Sequence, residues 1–410
     1  MNRDSPTFCV MPHMGLAIQN KGDMCVCNIN SESYMLDDKV QTIDKITVDE
    51  IWQSPTRKML VEQLDSGQKH HSCQVCWDAE SAGKLSVRQQ LNSMFSDLEP
   101  DLDQPKILIL KPGNTCNAAC RICGPDTSTS WYKDAFELEK RKSPDLKFNT
   151  YIKDFEAIKN SFNPDSPNMW PVLDRWYEKL KFLDIYGGEP MMIPGLWNSL
   201  QQAIDNGFAK DIDLRISTNG SHWNEEYMHI LSQFRSANVG ISIDSHIKAE
   251  FEYMRHKLDY DTTIQNSRKI IDYIRQHDVM SARVCCTVSV SNIWNLVDID
   301  RSLSKMLDID TGITNFVYFP DHHDIRHLPR DVKRKIISKL KIDPRYDVII
   351  NYMNQVVPGC QMYWPKFCLE TDKLDRIRNQ SFKAVFPEWH AVLEPFWNYK
   401  KPNSGWYGAV

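Results

Sequence analysis

Six short apolar runs recur between residues 106 and 320, and they constrain the fold more than any other feature of the sequence. The runs are KILILK (106–111), LKFLDIYGGEP (180–190), DLRISTNGS (213–221), NVGISIDS (238–245), ARVCCTVSV (282–290) and TNFVYFP (314–320). Helix-like stretches separate several of them, at 194–208, 224–237 and 262–277. Strands that alternate with helices form parallel β/α units. The sequence therefore predicts an α/β fold built on a six-stranded parallel sheet.

A cysteine triplet follows the first of these runs. TCNAACRIC (115–123) holds Cys116, Cys120 and Cys123, and the PGN before it ends the strand. The triplet therefore lies at the carboxyl end of a strand, where α/β barrels hold their active sites. A structural zinc site normally takes four protein ligands, whereas three thiolates can surround one corner of a cubane cluster and leave one iron open. An open iron can bind and reduce a small molecule, so the odd number favours catalysis over a structural role.

Composition excludes several other classes. The chain has 410 residues, 41% of them hydrophobic, which is enough for two or three domains. Its formal charge of −5 gives no general attraction for nucleic acid or acidic lipid. No run reaches membrane-spanning length, and MNRDSPTFCV lacks the order of a secretory signal. We therefore expect a cytoplasmic protein without a membrane or nucleic-acid partner. Its twelve cysteines are expected to serve metal or redox chemistry rather than disulfides, although Cys285 and Cys286 are expected to be buried structural thiols.

At the triplet the chain resembles the radical S-adenosylmethionine (SAM) enzymes, whose signature is C-x₃-C-x₂-C after a first strand. The resemblance implies that the three cysteines hold a 4Fe–4S cluster and that SAM chelates the fourth iron through its amino and carboxylate groups. It also implies a partial (β/α)6 barrel over residues 104–320. The residue before the third cysteine is usually aromatic in the family. Here it is Ile122, whose expected role is a backbone contact to adenine together with packing.

Later residues resemble the family's SAM-binding positions. Gly187-Gly188-Glu189-Pro190 matches the GGEP motif, in which glycines let backbone approach the SAM ammonium and the glutamate adds negative charge. The expected SAM contacts at the following strand ends are Ser217, Asn219, Ser242 and Arg255. Pairing with the SAM carboxylate is a bidentate task suited to the guanidinium of Arg255. Ordinary strand-end caps and a surface arginine are the alternative interpretation.

A second cysteine set precedes the expected barrel. Its members are Cys9, Cys27, Cys73 and Cys76. Their spacing resembles the twitch and SPASM auxiliary-cluster modules, which usually follow the core. The resemblance implies a second, fully coordinated 4Fe–4S cluster in a small domain over residues 1–103. Cys25 competes with Cys27 for the second place, and the Gly-x₄-Cys spacing from Gly22 favours Cys27. A structural zinc site stays open, because four cysteines in two loose pairs also suit zinc.

Residues 321–410 differ in composition from the rest and are expected to form a mostly helical extension that packs on the barrel. His322, His323 and His327 are interpreted as loop histidines, because no spacing fixes a metal geometry. Cys360 and Cys368 are interpreted as free thiols.

The resemblance implies an enzyme that cleaves SAM reductively to a 5′-deoxyadenosyl radical, which abstracts hydrogen from a substrate. An external one-electron donor such as flavodoxin or ferredoxin would supply the electron. A peptide or protein is the leading substrate class, and a sugar, nucleotide or small metabolite is the alternative. A different class of function is a non-catalytic iron–sulfur or zinc protein that binds a partner through its aromatic C-terminal third.

Overall fold

The structure is a computed structural model that describes residues 1–30, 35–36, 39–40, 43, 50, 52–101, 103–140, 169–357 and 360–398. Within these residues it contains ten strands. They are β1 (Gly15–Ile18), β2 (Met24–Cys25), β3 (Met35–Leu36), β4 (Lys39–Val40), β5 (Ile107–Leu110), β6 (Phe182–Ile185), β7 (Asp213–Thr218), β8 (Ser236–Ser242), β9 (Met280–Val288) and β10 (Thr311–Phe316).

Eight of these strands form one sheet in the order β10-β9-β8-β7-β6-β5-β1-β2. All neighbours from β10 to β1 are parallel, and only β2 is antiparallel to its neighbour. The two short strands β3 and β4 pair separately. The expected α/β fold with a mainly parallel sheet is confirmed, and its open strand order is consistent with a partial barrel.

Strand β1 is the part of the sheet that the sequence did not reveal. It pairs in parallel with β5, with Gly15 opposite Ile107 and Ile18 opposite Leu110. The N-terminal cysteine segment is therefore hydrogen-bonded to the main sheet. The expected boundary near residue 103 lies between two strands of that sheet.

Several expected elements have different bounds in the structure, and two of them illustrate why. The last strand was expected over 314–320, but it runs from Thr311 to Phe316. Asp308 adopts a left-handed backbone with φ of 52° and ends the preceding helix. The strand therefore begins at Thr311, three residues before the expected start. The helix expected over 224–237 ends at Ser232, because Ser236 already begins β8.

Helices flank the sheet and fill the C-terminal third. Those of seven or more residues are Pro55–Asp65, Gln74–Ser81, Val87–Met94, Tyr132–Lys140, Met169–Trp176, Pro194–Asp205, Glu225–Ser232, Lys248–Met254, Tyr260–Ile274, Leu296–Leu307, Arg330–Leu340, Asp347–Met353, Cys360–Arg378 and Pro387–Leu393. Met11–Met14 and Phe382–Val385 are shorter. None of the helices in the described ranges has the length and apolar character needed to cross a bilayer.

The two faces of the sheet differ in polarity. One face carries the buried residues of the core, among them Leu214, Ile216, Val239 and Val284. Side chains alternate between the faces of a strand. The opposite face consequently carries the polar residues of β6 to β10.

Candidate functional site

The cysteine triplet forms a buried loop at the carboxyl edge of the sheet. Cys116 and Cys120 are buried, and Cys123 is partly buried. The Cys120 and Cys123 side chains interact with each other, and Cys116 interacts electrostatically with both. The structure thus brings the three predicted ligands together.

Backbone contacts hold this loop in place. The amides of Ala119 and Arg121 donate to the carbonyls of His256 and Met254, both at 2.8 Å. The indole Nε1 of Trp131 donates to the Cys120 carbonyl at 2.8 Å. The positions of the thiols are therefore set by the chain on both sides of the loop.

The three thiols differ in acidity. The interaction with Cys123 and, after it, the charge of Arg255 lower the pKa of Cys120 to about 7, although burial opposes both. Burial raises the pKa of Cys116 to about 12. The interaction with Cys120 and, after it, burial raise the pKa of Cys123 well above the usual range. Cys120 is therefore the most acidic thiol of the three, and a thiolate is the form that binds metal.

Gly188 lets the GGEP segment lie directly against the cysteine loop. Its φ is +60°, and a Cβ atom there would lie 2.6 Å from the Thr115 carbonyl oxygen and 2.9 Å from that of Gly113. Gly187 has φ of +97°, and its Cβ would lie 2.6 Å from Oδ1 of Asn20. In this structure both glycines are required by contacts within the chain rather than by an open approach to a ligand.

Glu189 is buried and fully engaged within the protein. Its carboxylate accepts from the Thr218 hydroxyl and the Asn219 amide, both at 2.7 Å, and from the Met191 amide at 3.2 Å. Burial raises the pKa of this carboxyl, against these hydrogen bonds. Glu189 therefore ties the end of β6 to the end of β7. Pro190 begins the short 3₁₀ helix that follows.

Arg255 is buried beside the cysteine loop rather than on the surface. Its Nη2 lies 2.9 Å from Oδ2 of Asp244, and its Nη1 lies 4.0 Å from Sγ of Cys120. Its Nε atom is buried without a hydrogen-bond partner. The guanidinium thus keeps an unused donor close to the three thiols.

The remaining predicted contacts lie near the same edge. Asn219 donates to Oδ1 of Asn117 at 2.9 Å and to Sγ of Cys116 at 3.9 Å. Ile122 is partly buried and packs on the core. Ser217 and Ser242 are partly exposed on the polar face of β7 and β8.

The second cysteine set lines one cavity in the N-terminal segment. Cys9, Cys27, Cys73 and Cys76 all face it, among apolar neighbours that include Trp77. Burial raises the pKa of Cys76 to about 11 and the pKa values of Cys9 and Cys27 further. Repulsion between the thiolates adds to these increases.

Cys25 lies outside the residues that line this cavity. Its Sγ donates to the Cys27 carbonyl at 3.0 Å and accepts from Nε2 of Gln19 at 3.0 Å. The geometry therefore supports Cys27 as the second member of the set, in agreement with the spacing from Gly22.

Companion residues surround the same cavity. Glu80 accepts from the Ser86 hydroxyl at 2.6 Å and pairs with Arg88 at 2.9 Å. The guanidinium of Arg88 also donates to the Phe8 carbonyl at 2.6 Å, next to Cys9. This network joins the Cys9 segment to the segment that carries Cys73 and Cys76.

In the described part of the chain, no three Cys, His, Asp or Glu side chains are arranged to hold a single metal ion. A mononuclear zinc site needs four ligands around one ion, whereas each cysteine of a 4Fe–4S cluster binds a different iron and the sulfurs lie further apart. Both cysteine sets are all-thiol. Their chemistry fits iron–sulfur clusters.

A positioning contact was missed by the sequence. Arg121, inside the triplet, is buried and donates from Nη2 to Oδ1 of Asp375 at 2.5 Å and to Oε1 of Gln380 at 3.0 Å. Its guanidinium carbon lies 3.5 Å from the ring centroid of Tyr253. The only available signal was an arginine between two cysteines, since its partners are more than 250 residues away in the sequence.

The histidines near residue 325 differ from expectation. His322, His323 and His327 are all buried, although we expected loop histidines. Burial lowers their pKa values, to about 3 for His323 and about 4 for His327. The helix Cys360–Arg378 packs over this segment and removes it from water.

Comparisons with known proteins place the fold among solved structures. No protein-family model matches the chain. No curated protein matches it. The structure of anSMEcpe with bound AdoMet matches with 16% identity and a TM-score of 0.36, over 58% of this chain and 60% of that one. The chain thus spans less than two thirds of that protein.

Two further structures are similar. Streptococcus suis SuiB bound to the precursor peptide SuiA has 14% identity and a TM-score of 0.34, over 82% of this chain and 69% of that one. TsrM from Kitasatospora setae, a radical S-adenosylmethionine methyltransferase with cobalamin and a [4Fe–4S] cluster bound, has 15% identity and a TM-score of 0.26. It covers 36% of this chain and 28% of that one.

Proposed function

We propose that this protein is a radical SAM enzyme. The observation that carries the proposal is the arrangement at the carboxyl edge of the sheet. Three thiols of a C-x₃-C-x₂-C loop lie together there, and the buried guanidinium of Arg255, whose Nη1 lies 4.0 Å from Sγ of Cys120, has an Nε donor without a hydrogen-bond partner. A zinc or partner-binding module has no need of a buried, partly unsatisfied arginine next to three cysteines.

The residues present fit the group that the resemblance implies. Cys116, Cys120 and Cys123 would hold a 4Fe–4S cluster with one open iron. When bound, the cluster together with SAM supplies a 5′-deoxyadenosyl radical. Arg255 has the charge and the free donor to bind the SAM carboxylate, and Asp244 orients it through the 2.9 Å ion pair.

The other predicted elements of the site make contacts within the chain itself. Glu189 joins the ends of β6 and β7, and Gly188 allows the GGEP segment to pack on the cysteine loop. Arg121 fixes the same loop to the C-terminal third. These contacts bury the thiols and exclude water from the reacting edge.

We further propose that Cys9, Cys27, Cys73 and Cys76 hold an auxiliary 4Fe–4S cluster. Four thiols around one apolar cavity support this assignment. The absence of a single-ion arrangement in the described residues weighs against zinc. Residues 1–103 would then form a cluster-binding unit that is joined to the barrel of residues 104–320 through β1, with residues 321–410 packed on that barrel.

The substrate is proposed to be a peptide or protein, with a sugar, nucleotide or small metabolite as the alternative. A one-electron donor such as flavodoxin or ferredoxin is proposed as the partner. The half-exposed polar face of β6 to β9 supports a polar substrate of either kind, because it offers hydrogen-bonding groups next to the cysteine loop.

The proposal is tested by SAM cleavage after anaerobic reconstitution. Dithionite-reduced protein should convert SAM to 5′-deoxyadenosine and methionine. The Cys116→Ala/Cys120→Ala/Cys123→Ala variant should lose this activity while Cys368→Ala, a buried cysteine elsewhere in the chain, keeps it. Cleavage that survives the triple substitution would refute the assignment.

A further inference from the structure

The polar face of the sheet is made of matched rows of side chains. Strand registers place Asp184 beside Arg215, Arg215 beside Asn238, and Asn238 beside Ser281. In the next row towards the cysteine loop, Ser217, Gly240 and Arg283 are neighbours. These residues lie on four adjacent parallel strands and share one face.

This face is accessible, which is unusual for parallel strands. Parallel sheets are normally covered by apolar layers on both sides. Here the Arg215 side chain is 26% exposed and Asp184 is 15% exposed, while Arg283 and Ser281 are exposed. Gly240 adds no side chain between them, and a Cβ there would come within 3.0 Å of Sγ of Cys285. We call the two rows of residues described above the polar floor. An exposed surface of this kind suits a polar ligand.

The charges on the floor are unbalanced. Arg215 and Arg283 both act on Asp184, and Nη1 of Arg215 remains 3.7 Å from Oδ2 of Asp184, beyond hydrogen-bond distance. Asp213, at the lower edge of the same face, is already paired with Arg235. Among the described residues, the two guanidinium groups therefore share one carboxylate, which leaves one positive charge in excess.

The floor is continuous with the cysteine loop. The strand register places Cys285 opposite Ser242, one row nearer the cysteine loop than Arg283, and the charges of Arg283, Arg255 and Arg215 act on its thiol. Arg255 in turn lies 4.0 Å from Cys120. A ligand on the two arginines would therefore reach towards the edge at which the three thiols meet.

We propose that Arg215 and Arg283 bind a carboxylate of the substrate, so that the substrate class is a carboxylate-bearing molecule held on the polar floor. This inference rests on the proposed function for its account of what happens to the bound substrate. A single excess positive charge matches a monoanionic carboxylate better than a doubly charged phosphate. The planar guanidinium presents paired donors in the geometry that a carboxylate accepts.

The test measures protection of the two arginines from phenylglyoxal in the reconstituted wild-type protein, with each modification site read by mass spectrometry. The probes are N-acetylglutamate N-methylamide and its neutral isostere, N-acetylglutamine N-methylamide. We expect the glutamate probe to half-protect Arg215 and Arg283 at about one tenth of the concentration that the glutamine probe requires. Arg334, exposed on a helix and paired with Asp331, is the internal control and should react at the same rate throughout.

Glutarate is used to decide whether the bound carboxylate belongs to a small acid or to an acidic residue of a peptide. Protection by glutarate equal to that by the glutamate probe identifies a small acid, and weaker protection identifies an acidic residue of a peptide. In the Arg283→Gln variant, the glutamate probe should no longer protect Arg215 at lower concentration than the glutamine probe. The Arg283→Lys variant should retain part of this difference. Equal protection by the glutamate and glutamine probes in the wild type would overturn the inference, whether or not the variants fold.

The same preparation separates this inference from the proposed function. SAM cleavage by the wild-type protein, measured without any probe, reports the proposed function alone. Cleavage without carboxylate-selective protection overturns only the substrate inference. Selective protection without cleavage overturns only the radical SAM assignment.

Discussion

Replacing Arg121 with Met tests whether the C-terminal third fixes the cysteine loop. Arg121 and Asp375 form a buried pair whose side chains are 3% and 13% exposed. Removing one partner of a buried ion pair costs about 3–5 kcal/mol, because the other charge is left without compensation. Asp375 keeps two donors, the Tyr253 hydroxyl at 2.8 Å and the Phe382 amide at 2.6 Å. We therefore expect the lower end of this range, about 3 kcal/mol.

The assay is urea unfolding of reconstituted protein under anaerobic conditions, with the iron content of the folded fraction measured in parallel. Arg334→Met is the matched control, because Arg334 and Asp331 are 54% and 62% exposed and such pairs contribute at most about 0.5 kcal/mol. Arg121→Met/Asp375→Leu should recover part of the loss, since no unpaired charge remains. A loss of less than about 1 kcal/mol in the free energy of unfolding of Arg121→Met would refute the claim that the Arg121–Asp375 pair fixes the cysteine loop.

Three further changes have defined outcomes. Gly188→Ala should destabilise the protein by more than about 2 kcal/mol in urea unfolding. Gly207→Ala, also at positive φ but with open space around it, should cost about 1 kcal/mol. Equal costs would contradict the close packing of Gly188 on the cysteine loop. Burial raises the pKa of Asp184 to about 6, so the folded state keeps a proton that the unfolded state releases, and stability should fall by about 1 kcal/mol from pH 5 to pH 7. Asp184→Asn should lack that share of the slope, and an unchanged pH profile would count against the raised pKa. Cys27→Ala should lower bound iron by about four per chain and Cys25→Ala should leave it unchanged, with the reverse result reassigning the ligand.

The parallel sheet was predictable because β5 to β10 are apolar runs separated by crossover lengths of chain. Strand β1 was not, because GLAI is only four residues long and gains its partner from residues 107–110, about ninety positions later. Local sequence contains no signal for such pairing.

The candidate site shows the same division. The spacing of the three cysteines predicted which thiols would lie together, since short loops keep close residues close. The engagement of Glu189 by Thr218 and the burial of His323 depend on elements far away in the sequence. The role of Gly188 also became visible only once the backbone of Thr115 was located.

The most direct test of the central claim is the electron paramagnetic resonance spectrum of the dithionite-reduced protein, recorded with and without SAM. If Cys116, Cys120 and Cys123 hold a cluster with an open iron, the wild-type spectrum should change when SAM binds. The variant with all three replaced by Ala should retain only a signal that SAM does not alter. A wild-type spectrum that is insensitive to SAM, or a SAM-dependent change that persists in the triple variant, would contradict the account.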